Sequence, residues 1–457
     1  MAAGLRAPAR AGYLDALARA AAGVRAANLP PSTLAAARDV VLDTLGAIVA
    51  GSRLPENGRL AQLAAARSGS RTATLIGHAA HAEPMLAALA NGTAGVALEV
   101  DEGNRWGGGH PAIHVLPAAL AVAEERGASG AELIEAVVAG YEITSRLGGA
   151  TTTRPNVHSH GTWGTAGAAV AVARLSGHDA VGLRDVINLA VSMSPANTWT
   201  PCFEGATIRN LYPGRAGLQG ILAVHLLGCG YTPVADAPAD VYGTILGEAF
   251  DPEAAVAGLG HEPCRIEQNY FKFHACCLYN HPALDAVHAL RGAERFTAED
   301  VSRVEVTSVP FVTRMADPDP PAMLAAKFSL PHAVAAAIVL GRSDVAAFSE
   351  PALRDPRVRA LARRVAVAGD PGMSMRARDG AQAAVRVTLR DGRTLSRTTT
   401  VVRGDAANPS GRDALVAKFL GLASEVLGGE RAGEVVTRVA GLESLEDVRE
   451  LSALLHP

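Results

Sequence analysis

Val301-Ser-Arg-Val-Glu-Val-Thr-Ser-Val309, closed by Pro310, alternates apolar and polar side chains with a period near two. Such alternation marks a half-buried strand. It stands in a chain that reads as helix after helix up to about residue 265. A second alternation over 384–389 meets the hairpin signal Asp391-Gly392 and continues over 394–402. Helical stretches at 330–340 and 350–364 lie between the two. The spacing therefore predicts a small α+β domain inserted in a helical protein.

Upstream, residues 33–50 place Leu34, Ala37, Val41, Leu45 and Ile48 at helical spacing, and Gly51 stops them. Helices are predicted over 84–98, 117–125, 165–175, 183–193 and 216–227. Ser129-Gly-Ala-Glu132 reads as a capping box before the helix carrying Leu133, Val137 and Tyr141. After Asn408-Pro409-Ser410 the helical pattern returns, over 413–427 and near 442–455. The expected class is mainly α with an α+β part. Its expected domains are 1–268, helical; 269–405, an α+β lid; and 406–457, helices completing the first domain.

Composition narrows the classes. Among 457 residues, 42 Lys and Arg face 45 Asp and Glu, a formal charge of −3, so no basic footprint for nucleic acid exists. A hydrophobic share of 49%, with aromatic residues only 4% of the chain and 47 Gly, excludes a disordered chain and favours closely approaching helices. Residues 216–235 carry no charge, but Gln219, His225, Thr232 and several glycines interrupt them. A buried core helix is expected there, with no membrane span. Five cysteines without a C-x-x-C pair form neither a disulfide framework nor a thiolate zinc site, which fits a reducing, cytoplasmic setting. Arg6 and Arg10 precede the first acid, Asp15, faintly like a transit peptide; a frayed tail before an amphipathic helix from about Tyr13 is the expectation.

Polar residues gather in four breaks between helices. Glu99-Val-Asp101-Glu102-Gly-Asn104-Arg-Trp106 runs through three glycines to His110-Pro111, which suits a loop pressed against a ligand. Trp106 and His110 are expected to be buried there. Arg154 to Thr165 contains His158 and His160, ahead of a helix start whose N–H groups suit a carboxylate. Arg209 to Arg215 includes Tyr212, and Phe271 to Pro282 includes Lys272, Cys276, Cys277 and His281. Phosphate-loop, Rossmann, nucleophile-elbow and H-E-x-x-H signatures are all missing. His110 and His114 with His158 and His160 permit a metal-dependent hydrolase reading, but no second-shell pattern accompanies them, and no metal is expected. Instead the set suits proton transfer on a small di- or tricarboxylate held by cations.

The ordered series Val41-Leu-Asp-Thr-Leu-Gly-Ala47, Leu89-Ala-Asn-Gly92, Gly109-His-Pro111, Gly140-Tyr-Glu142, Gly164-Thr165, Phe271-Lys272 with Cys277 and His281, Phe328-Ser-Leu-Pro331, Asn408-Pro409 and Lys418-Phe419 resembles the MmgE/PrpD family. The resemblance covers essentially the whole chain. It implies a helical domain with an α+β lid, a polar cleft between them, no organic cofactor and a homodimer. It carries His110, His158 and Lys272 onto active-site positions, with Asp101 or Glu99 at the acidic position and Tyr141, Cys277 and His281 beside the cleft. Arg209 and Tyr212 stand where citrate-type members have Lys-x-x-His, and Cys277 where the decarboxylase branch has His. Arg209 and Lys272 are expected to neutralise carboxylates, His158 or Lys272 to act as base, and His110 or Tyr141 as acid. The activity expected first is hydro-lyase chemistry of the 2-methylcitrate dehydratase type. Epimerisation of a dicarboxylate such as iminodisuccinate is the close alternative, and cis-aconitate-type decarboxylation the third.

Overall fold

The computed structural model describes residues 12–261, 263–375 and 382–457. The basic tail with Arg6 and Arg10 lies outside the described residues. Helices Gly12–Gly23, Pro31–Gly51, Pro84–Val96, Pro111–Arg126, Gly130–Gly149, Gly164–Leu175, Ala180–Ser192 and Leu211–Gly228 share one apolar core. Phe419, Ala423, Val435, Val439 and Leu451, from the end of the chain, belong to that same core. No helix of the described residues is long and apolar enough to cross a membrane.

Small residues set the packing. Where Pro84–Val96 meets Leu211–Gly228, a Cβ on Gly92 would lie 2.8 Å from the Gly214 Cα, and one on Gly214 would lie 2.2 Å from the Leu89 carbonyl oxygen. The two backbones touch with nothing between them. Because the second helix begins just after Arg209, this contact also fixes that side chain. Gly214→Ala is expected to cost about 1–3 kcal/mol by overpacking, measured by urea unfolding.

A second core joins Ala47, Leu98 and Val100 to residues between Ala275 and Leu389. Its sheet runs Thr394–Thr399, Ala383–Leu389, Val301–Ser308, Val365–Gly369 in spatial order. The first three strands are antiparallel; the last pairs in parallel with Val301–Ser308. A parallel pair needs a long crossover, here built from Met323–Lys327, Leu330–Val339, Glu350–Arg354 and Pro356–Ala362. Val304, Val306 and Ser308 face inward as the alternation predicts, but Val301 is out of phase. A register shift between Val301 and Arg303 turns Val301 inward as well.

Several element boundaries differ from the sequence expectation. The helix expected from Pro117 begins at Pro111 and carries Pro117 inside it, because its buried face outweighs one lost hydrogen bond. The stretch 350–364 is two helices, broken where Asp355 caps the second through the Arg357 amide at 2.8 Å. The strand after the hairpin stops at Thr399, and the piece near 442–455 is a set of short turns. Gly429–Ala440 is a helix that the sequence pattern left unassigned between its two expected C-terminal pieces. Gly428 takes a positive φ of 82° as its N-cap, and Ala432, Val435 and Val439 bury one face.

Candidate active site

A cavity of 330 Å³ lies between the two cores, with Glu99, His110, His158, His160, Arg209 and Tyr270 forming its polar side and Cys277, Phe311 and Phe328 among its other lining residues. All four polar breaks except Arg215 and its neighbours supply residues within one layer of it.

The turn after Pro84–Val96 carries the first acid. Glu99 has φ +56°, an uncommon left-handed conformation for a residue with a side chain. Three contacts hold it there: Arg209 pairs with its Oε1, Lys272 Nζ donates to its Oε2 at 2.9 Å, and Lys327 Nζ ties down the Ala97 carbonyl at 2.8 Å. Burial alone would raise the Glu99 carboxyl, but Arg209 and Lys272, with His110, hold it well below the usual range. Burial would likewise deprotonate Lys272, yet Glu99 and Asp101 (4.0 Å away) raise it, so it stays an ammonium.

The glycine loop closes on itself. Asn104 and Gly109 exchange backbone hydrogen bonds at 2.8 and 3.2 Å, and Gly103–Asn104 pairs with Asn269–Tyr270. Arg105 crosses to the other core, reaching Asp405 at 2.7 Å and the Met375 carbonyl at 2.7 Å. His110 is buried as expected, but Trp106 is 44% exposed; the Arg265 guanidinium, 4.4 Å from its ring, covers one face instead. His110 does not cap its helix. Its Nδ1 lies 2.8 Å from Asp101 Oδ2, and its Nε2 is 3.4 Å from the Tyr270 hydroxyl.

Three further imidazoles surround it. The Gly161 amide donates to His114 Nε2 at 2.8 Å, so Nδ1 carries the hydrogen and donates to the His110 carbonyl at 2.7 Å. Burial pushes His114 down to about 4, and both its nitrogens are occupied. The His160 amide donates to His158 Nδ1 at 3.0 Å, which leaves the hydrogen of neutral His158 on Nε2. That Nε2 has no hydrogen-bond partner among the described residues. Burial, then Arg209, keeps His158 well below its ordinary value, and the same two causes act on His160. The start of the Gly164–Leu175 helix, expected to receive a carboxylate, packs on His114 and does not reach the cavity wall. Among the described residues, no three His, Cys, Asp or Glu side chains converge as a metal site.

Tyr141 and Glu102 sit behind His110. The Tyr141 hydroxyl donates to Glu102 Oε2 at 2.9 Å, and the Ala112 amide donates to Oε1 at 2.8 Å. Burial, with Asp43 and Asp101 nearby, pushes Glu102 from 4.5 up to about 8. Glu102 is therefore neutral in the fold at pH 7 and ionised in the unfolded chain. Its stabilisation is full below the ordinary carboxyl value and is lost as pH rises through about 8. Glu102→Gln is expected to flatten the fall in unfolding midpoint between pH 6 and 9; equal pH dependence in both proteins would contradict this.

Of the expected residues, His110, His158, Arg209 and Cys277 line the cavity. Lys272 and Asp101 stand directly behind, as charge partners of Glu99 and His110. Tyr141, Tyr212 and His281 do not line it. Tyr212 packs edge-on against His158 and donates to the Thr198 carbonyl at 3.3 Å, while His281 Nε2 meets the Cys276 carbonyl at 3.1 Å. Burial pushes the Cys277 thiol up to about 11, so it remains protonated. Sequence reasoning missed Glu102, Tyr270, Lys327 and the aromatic wall. Lys327 had a signal, being an ionisable residue in an apolar stretch, Glu102 stood undistinguished in an acidic run, and Phe328 lay in a quoted motif; Tyr270 and the rest of the wall had none.

Residues 15–247 match the MmgE/PrpD N-terminal domain and residues 274–442 the MmgE/PrpD C-terminal domain. Among curated relatives, a cis-aconitate decarboxylase of Aspergillus terreus is 24% identical, over 98% of this chain and 96% of its own length. The cis-aconitate decarboxylases of Homo sapiens and Mus musculus are 27% and 26% identical, covering 96% and 95% of this chain and 94% and 91% of their own lengths. With both domains matched in order across most of its length, and with the helical and α+β cores meeting at one polar cavity, this chain is an enzyme of the MmgE/PrpD family.

Proposed function

We propose that this enzyme removes a proton α to a carboxylate and expels a β-hydroxyl as water, a hydro-lyase reaction of the 2-methylcitrate dehydratase type. The observation that carries it is the Asp101–His110 pair at 2.8 Å. Asp101 holds a hydrogen on His110 Nδ1, so that Nε2 is the nitrogen that takes up or gives back the substrate proton. Lys272, held as an ammonium, does not compete for that role. His158 presents its hydrogen on Nε2 and donates a hydrogen bond to the departing hydroxyl. Arg209 holds the carboxylate whose α-carbon loses its proton, and the Arg209–Lys272 charge lowers the energy of the enolate. The proton passes to His110, the C–O bond breaks as the double bond forms, and the departing hydroxyl takes that proton back from the His110 imidazolium, so that water leaves and His110 returns to its starting state.

A second reading is decarboxylation, which the names of the relatives favour. It needs an acid to quench a carbanion but no base, and His110 protonated beside Asp101 would be that acid, so turnover decides between the two readings. Incubation in deuterated water with 2-methylcitrate, cis-aconitate and iminodisuccinate separates the outcomes. Water loss from 2-methylcitrate supports the first reading, and CO₂ release supports the second. Deuterium exchange alone would shift the assignment to epimerisation, and inertness toward all three would contradict it for these acids. The homodimer and cytoplasmic location implied by the family stay part of this proposal, the former checked by sedimentation velocity.

A further inference from the structure

The ion pairs around the cavity join Arg105 to Asp405, and Arg209 and Lys272 to Glu99 and Asp101, with the Lys327 ammonium on the Ala97 carbonyl behind them. Arg105, Arg209, Asn104, Ser159 and the histidines belong to the polar part of the lining.

The opposite wall is apolar and built to hold shape. Trp199 and Phe311 have ring centroids 4.8 Å apart, and Tyr279 stacks on Phe311 at 4.5 Å. Phe328 completes the group, 6.4 Å from Trp199 and 5.3 Å beneath the Arg209 guanidinium. Met373 and Met375 extend the surface toward the cavity mouth. His158 packs on Trp199 at 4.0 Å, so the apolar wall starts at the imidazole itself. Nothing in the chemistry proposed above uses this wall.

We infer that the substrate is a carboxylic acid carrying an apolar substituent of several carbons, seated among Trp199, Tyr279, Phe311 and Phe328. This rests on the proposed function for the polar end only. A 2-alkylmalate shows the class: a carboxylate, an α-proton, a β-hydroxyl and an alkyl chain.

Binding and turnover test it separately. Affinities of unreactive 2-alkylsuccinates, methyl to pentyl, are measured by calorimetry beside tricarballylate. The expected result is about two- to fourfold tighter binding per added methylene, with tricarballylate weaker than propylsuccinate. Phe311→Ala is expected to flatten that slope, weakening pentylsuccinate far more than methylsuccinate; Tyr279→Ser gives the same comparison should the first variant fold poorly. A flat series in the wild-type enzyme, or tricarballylate binding as tightly as pentylsuccinate, overturns the inference. Turnover is then followed with the matching 2-alkylmalates. A steep binding series without water loss or α-deuterium exchange would keep the subsite and contradict the proposed reaction instead.

Discussion

His110→Asn is expected to lower kcat by about 10³-fold, the range lost when a positioned general base is removed. The substitution keeps a polar group at the head of Pro111–Arg126 but takes away the cavity imidazole whose Nδ1 faces a carboxylate at 2.8 Å and whose Nε2 meets the Tyr270 hydroxyl at 3.4 Å. His114 cannot replace it, because both of its nitrogens are engaged by backbone groups. His158 cannot either, since the His160 amide occupies its Nδ1 and its hydrogen sits on Nε2. The fold is expected to survive, with an unchanged far-ultraviolet circular dichroism spectrum. Retention of more than about a tenth of wild-type kcat would remove His110 as the base.

Arg209→Leu is expected to cost about 3–5 kcal/mol in urea unfolding, the range for breaking a buried ion pair from one side. Glu99 is 1% exposed and would keep its charge with Lys272 as its remaining close cation. The double variant Glu99→Gln/Arg209→Leu removes the stranded charge and is expected to regain much of that stability. Activity behaves differently. Both variants lose the group that holds the substrate carboxylate, so kcat/KM is expected to fall by about 10²-fold or more in each. Recovery of activity along with stability would show that Arg209 serves the fold alone.

Much of this architecture was legible in the sequence because periodicity reports which face of an element is buried. The 3.6-residue spacing of Val41, Leu45 and Ile48 and the near-alternation of Val304 and Val306 have direct counterparts in the two cores. Proline misled where context overrode it, since Pro117 lies inside a helix. At the site, family motifs and residue chemistry brought His110, His158, Arg209, Lys272 and Cys277 into one neighbourhood. The pairing was not legible. Which imidazole meets Asp101, and which is fixed by a backbone amide, depends on contacts between residues distant in sequence or on loop curvature that no spacing rule encodes. The aromatic wall was hidden for the same reason: Trp199, Tyr279, Phe311 and Phe328 come from four segments and meet only after the α+β core docks on the helices.

A crystal structure with a bound 2-alkylsuccinate tests the central claim most directly. The account predicts one carboxylate on the Arg209 guanidinium and the adjacent methylene carbon within about 3.5 Å of His110 Nε2, the reach of a near-attack geometry. An adjacent carbon turned away from His110, with that nitrogen still occupied by the Tyr270 hydroxyl, would contradict it.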